Sequence, residues 1–347
     1  MKTARDTLFQ RIKTEKIHPF TLHTWKALFV SLIMMLSPVY VFPQACCSGG
    51  VPLGGSLGLG TAENKSLQFL LTYDYNLLND LMDGSKLLKD GTRSRTTHSA
   101  MVEVNYGLSP RFSLTAVIPF IRQERNISTF GGGQDFTATQ GLGDAVFLVK
   151  YKILNPEKRP KSEWVMGAGP KFSTGRTDHT NNAGLALAAD MQPGSGSLDG
   201  IFWSYFQRRQ IISPNFSLMA VTTYRYSGNN NNYNNTQVYR FGNELQLNVG
   251  GNYNLFISRP VDVFTYLRYR RQAADLIDGN AFPGSGGQWI DMIPGVNVNF
   301  NPNLSVRLSG QLPVYRIVEG TQLTTSYRLT AAILYNIPSK EKLLITL

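Results

Sequence analysis

Asn301-Pro302-Asn303-Leu304-Ser305-Val306-Arg307-Leu308-Ser309-Gly310-Gln311-Leu312-Pro313-Val314 is the stretch that decides the fold. Proline fixes φ and cannot donate to a strand ladder, so Asn301-Pro302-Asn303 reads as a turn. After it, Leu304, Val306, Leu308, Leu312 and Val314 alternate with Ser305, Arg307, Ser309 and Gln311. Successive side chains of a strand point to opposite faces, so one face here is oily and the other polar and charged. The same alternation recurs elsewhere. Ala100, Val102, Val104 and Tyr106 oppose Met101, Glu103 and Asn105, and Leu245, Leu247 and Val249 oppose Glu244, Gln246 and Asn248. Val261, Val263 and Leu267 oppose Asp262, Arg268 and Arg270, and Leu329, Ala331 and Ile333 oppose Ser326, Arg328 and Thr330.

Outward from this pattern, twelve strands are predicted at 66–76, 96–107, 112–122, 143–153, 164–173, 199–210, 215–227, 238–254, 261–272, 287–300, 304–316 and 322–337. Short proline-bearing turns alternate with longer connections rich in Gly, Asn, Asp and Thr. The short ones are at Ser109-Pro110, Asn155-Pro156 with Pro160, Ser213-Pro214, Arg259-Pro260 and Asn301-Pro302. The longer ones are 77–95, 123–142, 174–198, 228–237 and 273–286, with Asn229 to Asn235 expected to be a mobile outer loop. That sorting is the pattern of an outer-membrane barrel with short periplasmic turns and longer outer loops. A charged side chain facing the bilayer midplane costs roughly 2–4 kcal/mol, so the polar face must line the interior. No open sheet edge survives in hydrocarbon, so the sheet must close. The expected fold is therefore all-β, a closed antiparallel transmembrane β-barrel of about twelve strands. Tyr106, Tyr151, Tyr253, Phe300 and Tyr335 before the periplasmic turns, with Phe112 and Phe216 after them, suit a headgroup belt.

Composition excludes other classes. The chain has 347 residues, 42% hydrophobic and 16% charged, without an apolar run of helical-span length beyond residue 45. The formal charge is +11, of which +7 remains once the six basic and two acidic residues of the first 45 are set aside. The basic residues are spread through the predicted strands and do not cluster, so no nucleic-acid partner is expected. Residues 1–45 read as a signal peptide, with a basic flank, an apolar core from Ala27 to Leu36 and a breaker at Ser37-Pro38. Residues 46–65 form an N-terminal periplasmic segment, 66–337 the barrel and 338–347 a tail. The location expected is the cell outer membrane, with its lipid as the barrel's partner.

Cys46 and Cys47 are adjacent and are the only cysteines, so no disulfide framework is possible. They are either a soft-metal pair or an exposed pair with no fixed role. His98 and His179, the only histidines past residue 45, have no partner at catalytic or metal-ligand spacing, so neither an enzyme nor a cofactor is expected. The functional candidates are the charges on the predicted inner face: Glu103, Lys150, Lys152, Arg225, Glu244, Arg268, Arg270, Asp291, Arg307 and Arg328. Charged rings tune selectivity in a pore. Equally, such charges can pair across a filled interior and only stabilise it.

Gly141-Leu142-Gly143-Asp144 reads as a loop-to-strand entry, with Asp144 capping the turn or facing the lumen. No helix follows to make it a phosphate site. Together with Ala145 to Lys152 it resembles the outer-membrane β-barrel transporter family catalogued with the meta-pathway of phenol degradation. Gly169-Pro170-Lys171-Phe172-Ser173-Thr174-Gly175, Gln192-Pro193-Gly194-Ser195-Gly196-Ser197-Leu198-Asp199 and Gly310-Gln311-Leu312-Pro313-Val314-Tyr315 with Gly320 to Leu323 are similar to further elements of it. The resemblance covers about residues 96–337 and implies a porin-like barrel that transports a small solute. The basic lumen suggests that the solute is anionic or amphipathic. The alternative left open is a closed barrel that anchors or docks an extracytoplasmic complex, with a metal-related role for the cysteine pair.

Overall fold

A computed structural model describes residues 60–339, except 130, 155–158, 182 and 257–258. The signal-peptide reading, Cys46, Cys47 and most of the tail lie outside the described residues. Among those described, no helix is long and apolar enough to cross a membrane, and the only helical piece is one 3-10 turn, Ala189–Met191.

The wall is built from β1 (Leu67–Asp83), β3 (Arg93–Gly107), β4 (Phe112–Ser128), β5 (Gln134–Leu142), β6 (Val146–Lys152), β7 (Ser162–Lys171), β8 (Asp199–Arg209) and β9 (Phe216–Tyr226). It continues with β12 (Glu244–Phe256), β13 (Pro260–Gln272), β16 (Gly287–Asn301), β17 (Leu304–Val318) and β18 (Thr321–Ile337). Five short strands lie outside the wall: β2 (Lys86–Leu88), β10 (Asn230–Tyr233), β11 (Gln237–Arg240), β14 (Leu276–Ile277) and β15 (Asn280–Ala281). Neighbouring wall strands pair antiparallel, and β1 returns to β18 from Leu67 opposite Ile337 to Asp83 opposite Thr321. With β5 and β6 as two halves of one strand, the barrel has twelve strands and is closed. The sequence expectation holds in strand number, order and closure.

Alternation sets the two sides as expected. Leu71, Val102, Ile118, Phe147, Leu267, Leu308 and Leu329 are exposed to the surroundings, whereas Glu103, Asn105, Thr115, Asn248, Asp291 and Gln311 are buried in the interior. Large apolar side chains exposed all round a closed sheet are what a hydrocarbon environment accepts and water does not. Phe112 and Phe216 begin their strands and the other five predicted belt aromatics lie within three residues of a strand end, with Phe112 and Tyr151 packed at 4.9 Å between ring centres. Phe300 lies one residue inside the end of β16, under the Arg259 guanidinium at 5.3 Å.

Several expectations need correction, among them the supposed loops 77–95, which hold the outer end of β1, β2 and the start of β3, and 273–286, which hold β14 and β15. The predicted strand 238–254 is two elements, because the chain leaves the outer hairpin at Gly242, where a Cβ would strike the Ala273 carbonyl. The Asn-rich stretch is not an irregular loop. Asn230–Tyr233 pairs with β11, and Asn234 and Asn235 both take the left-handed conformation that a tight hairpin turn requires. The supposed loop 123–142 holds the outer end of β4 and all of β5. The supposed strand 143–153 starts only at Val146, since the wall breaks between Leu142 and Val146. β4 spans the break, pairing with β5 from Phe120 outward and with β6 from Val117 inward. Among the described residues β7 pairs only with β6 on that side, and β5 has no strand paired along its second edge.

Candidate functional site

The interior has two chemically distinct sides. From β3 to β9, Met101, Val117, Val146, Val165, Trp203 and Val221 point inward and belong to one apolar cluster, which reaches across to Phe264, Tyr266 and Ile293. Sequence alternation missed this half, because β8 reads Ile201-Phe202-Trp203-Ser204-Tyr205-Phe206, apolar on both faces. The opposite side, β12 to β18 and β1, carries most of the charge.

The ten predicted charges all face the lumen, but they form three groups. Lys150 lies 3.9 Å from Glu103 and 4.4 Å from the Trp203 ring centre, and Lys152 lies 3.5 Å from Glu163. Glu244 sits between Arg225 at 3.5 Å and Arg270 at 3.3 Å, and Arg270 covers the Trp289 ring at 4.6 Å. The third group surrounds a cavity of about 70 Å³ lined by Arg268, Arg307 and Arg328 together with Met219, Phe264, Tyr266 and Ile293. Arg268 donates to Asn248 at 2.9 Å and to Gln311 at 2.8 Å, and Gln311 donates in turn to Asp291 at 2.9 Å. Arg307 lies 5.5 Å from the Phe264 ring centre, and Phe264 stacks on Tyr266 at 4.8 Å.

The outer mouth is filled by the connection from β7 to β8, whose residues Leu187 to Ser197 are mostly buried. Irregular backbone is tolerated inside a protein only if its polar groups find partners. Here Thr139 donates to the Met191 carbonyl at 2.6 Å, Gln192 bridges His179 and Leu187, and Arg95 holds Asp190 and Gln123. The segment is keyed to the wall by Lys171, whose side chain is wholly buried. Its Nζ lies 2.6 Å from Asp144 and 3.1 Å from Asp199, and it also donates to Ser195. Asp144 accepts from the Ser195 amide at 2.9 Å and hydroxyl at 2.6 Å, and Asp199 from the Ser197 hydroxyl at 2.7 Å. Gly143, Gly175 and Gly194 stack backbone to backbone beside this cluster, and a Cβ on Gly175 would lie 2.6 Å from the Gly194 Cα. Three separate stretches that carried the family resemblance therefore meet at one point, where the strand is broken.

Above the mouth, β10, β11, β14 and β15 form a small outer sheet. Tyr239 and Phe241 pack there on Ala189 of the inward segment. Tyr239 donates to Asp275 at 2.6 Å, and burial pushes both of these groups above their ordinary pKa values. His98 meets Tyr73 at 2.7 Å on the outer surface and His179 lies in the connection from β7 to β8, ahead of its buried part, so the fold does not bring the two together. Among the described residues, no group of three His, Cys, Asp or Glu could hold a metal ion.

A family profile described as "Putative MetA-pathway of phenol degradation" matches residues 92–329. An outer-membrane channel from Pseudomonas putida F1 superposes with a TM-score of 0.62 at 12% identity, covering 81% of this chain and 97% of that one. The β domain of the Bordetella autotransporter BrkA follows at 0.45 and 11% identity, covering 79% of this chain and all of the other. At these identities the likeness is one of fold. No curated protein matches the chain in sequence.

Proposed function

Since this chain belongs to the phenol-degradation family of barrels just described, we propose that it is an outer-membrane channel that passes a small solute. Its export would depend on residues 1–45. One observation carries this reading. The barrel is closed and its lumen is amphipathic, with an apolar side, a basic side and a small cavity between them. An interior that served only to stabilise the wall would have no use for arginines beside a cavity lined by Phe264 and Tyr266. The narrowness of that cavity fits a selective, low-conductance path better than an open sieve.

Planar-bilayer recording of the purified protein tests the proposal. Small, stable conductance steps are expected, and a silent bilayer with correctly folded protein would overturn it. A second reading, a closed barrel that docks an extracytoplasmic partner, is favoured by the buried segment Leu187 to Ser197 across the mouth. Silence is the result that reading expects.

A further inference from the structure

The outer end of the wall carries an uneven charge on its lipid-facing side. Arg271 points outward near the end of β13, opposite Leu245 of β12 and Gln288 of β16. It is exposed and makes no hydrogen bond or ion pair among the described residues. Gln288 beside it accepts from the Tyr269 hydroxyl at 3.1 Å, so its amide N–H groups remain as donors. Arg240, on the outer sheet, lies over the Tyr226 ring at 5.1 Å and donates to the Ser227 carbonyl at 2.9 Å and to Asn243 at 3.4 Å. Asp278 of the same sheet accepts from the Val238 amide at 2.9 Å, and Arg240 makes no ion pair among the described residues. Tyr226 and Asn243 lie two residues beyond Tyr224 and Leu245, which face each other across β9 and β12. Both guanidinium groups therefore border one patch. On β4, by contrast, the outward Arg122 is matched by Glu124 at 2.6 Å.

The patch stands at the upper limit of the oily band. From Val263, opposite the belt residue Tyr253, β13 runs about 26 Å to Arg271. A tilt of about 40° turns that into about 20 Å across the bilayer, and the length of the arginine carries its head to the edge of a band about 25 Å tall. Below it the outward side chains Leu247, Val249, Leu267 and Met292 are apolar and uncharged. Two unmatched guanidinium groups above an unbroken apolar stripe complement a molecule with a phosphate head and hydrocarbon tails. Arginine takes a phosphate through paired N–H donors, which an ammonium cannot do.

We propose that the outer rim of β9, β12 and β13 is a binding site for the phosphate head of an outer-leaflet lipid. The phosphate would accept from Arg271 and Arg240, with Gln288 beside it, and the tails would lie along Leu247, Val249 and Leu267. The site is independent of whether the barrel conducts.

Native mass spectrometry of the full, detergent-purified chain, titrated with lipid A, measures the lipid retained. Lipid A with its phosphates should bind at least about tenfold more tightly than the same lipid with the phosphates removed. Equal retention of the two would reduce the patch to an oily belt and overturn the proposal. Inorganic phosphate at matched concentration should leave the retained lipid unchanged, and displacement by it would make the rim a site for a free anion, which also overturns it. Arg271→Gln combined with Arg240→Gln should weaken phosphorylated lipid A by about tenfold or more, and Arg271→Lys, which keeps the charge but loses the fork, by less. Arg122→Gln, where Glu124 already matches the charge, should leave binding as in the parent protein. Unchanged binding in the double variant, or an equal loss in Arg122→Gln, contradicts the assignment. Should Arg240→Gln disturb the outer sheet, Arg271→Gln alone, at an exposed position, should still weaken the phosphorylated lipid by about threefold or more, and no change there overturns the proposal.

Discussion

Lys171 is a charged residue whose side chain is wholly enclosed by the fold. Its charge is fully buried between Asp144 and Asp199. Removing one partner of such a group leaves the remaining charges uncompensated, at a cost of about 3–5 kcal/mol. Lys171→Met should therefore lower the temperature at which the folded band converts to the unfolded one on a gel. Adding Asp144→Asn and Asp199→Asn should restore much of the loss, and no recovery in the triple variant would contradict this account. The glycines beside it allow a sharper comparison. A Cβ at Gly194 has nowhere to go but into Gly175, whereas at Gly141 it would make ordinary contact with Pro193 at 3.5 Å. Gly194→Ala should thus release the inward segment and speed tryptic cleavage at Arg176, while Gly141→Ala should leave the cleavage rate near that of the parent protein. Their difference isolates backbone approach from any general effect of a methyl group.

Elements were legible in the sequence wherever the two faces of a strand meet different media. In β17, Leu308 and Leu312 face lipid and Arg307 and Gln311 face the lumen, so period two stands out. In β8 both media are apolar, lipid outside and the Trp203 cluster inside, and the alternation that marks a lumen vanishes. Of the candidate site, the arginines were legible as inward charges. The aromatic wall facing them was not, because Phe264 and Tyr266 occupy the face that Asp262 and Arg268 had marked as polar. The segment Leu187 to Ser197 has no period at all, since buried irregular backbone is set by individual hydrogen bonds and not by a repeat. The broken strand gives a prediction at this scale. Amides of β6 lie between two strand neighbours, whereas β5, among the described residues, pairs only with β4. Hydrogen exchange should therefore protect alternate amides of β5 and expose the rest, against near-uniform protection across β6.

At the scale of the whole molecule, the apolar and basic sides of the lumen are joined by one closed wall. Thr72 and Ala332 face each other where the first strand meets the last, both buried on the inner side. With Cys46 and Cys47 replaced by Ser, the pair Thr72→Cys and Ala332→Cys should form a disulfide that alters gel mobility without reductant, and an unaltered band would argue against closure. That same junction constrains how the chain is made. Leu67 pairs early with Tyr106 but finds its second partner only when Ile337 has been synthesised, so nearly the entire polypeptide must wait, unzipped along two margins, before the ring can lock. Contacts so distant along the chain form late and slowly. Loss of the final hairpin would not shorten the cylinder by a stave; it would leave a curled ribbon with two bare hems and no tenable place in oil.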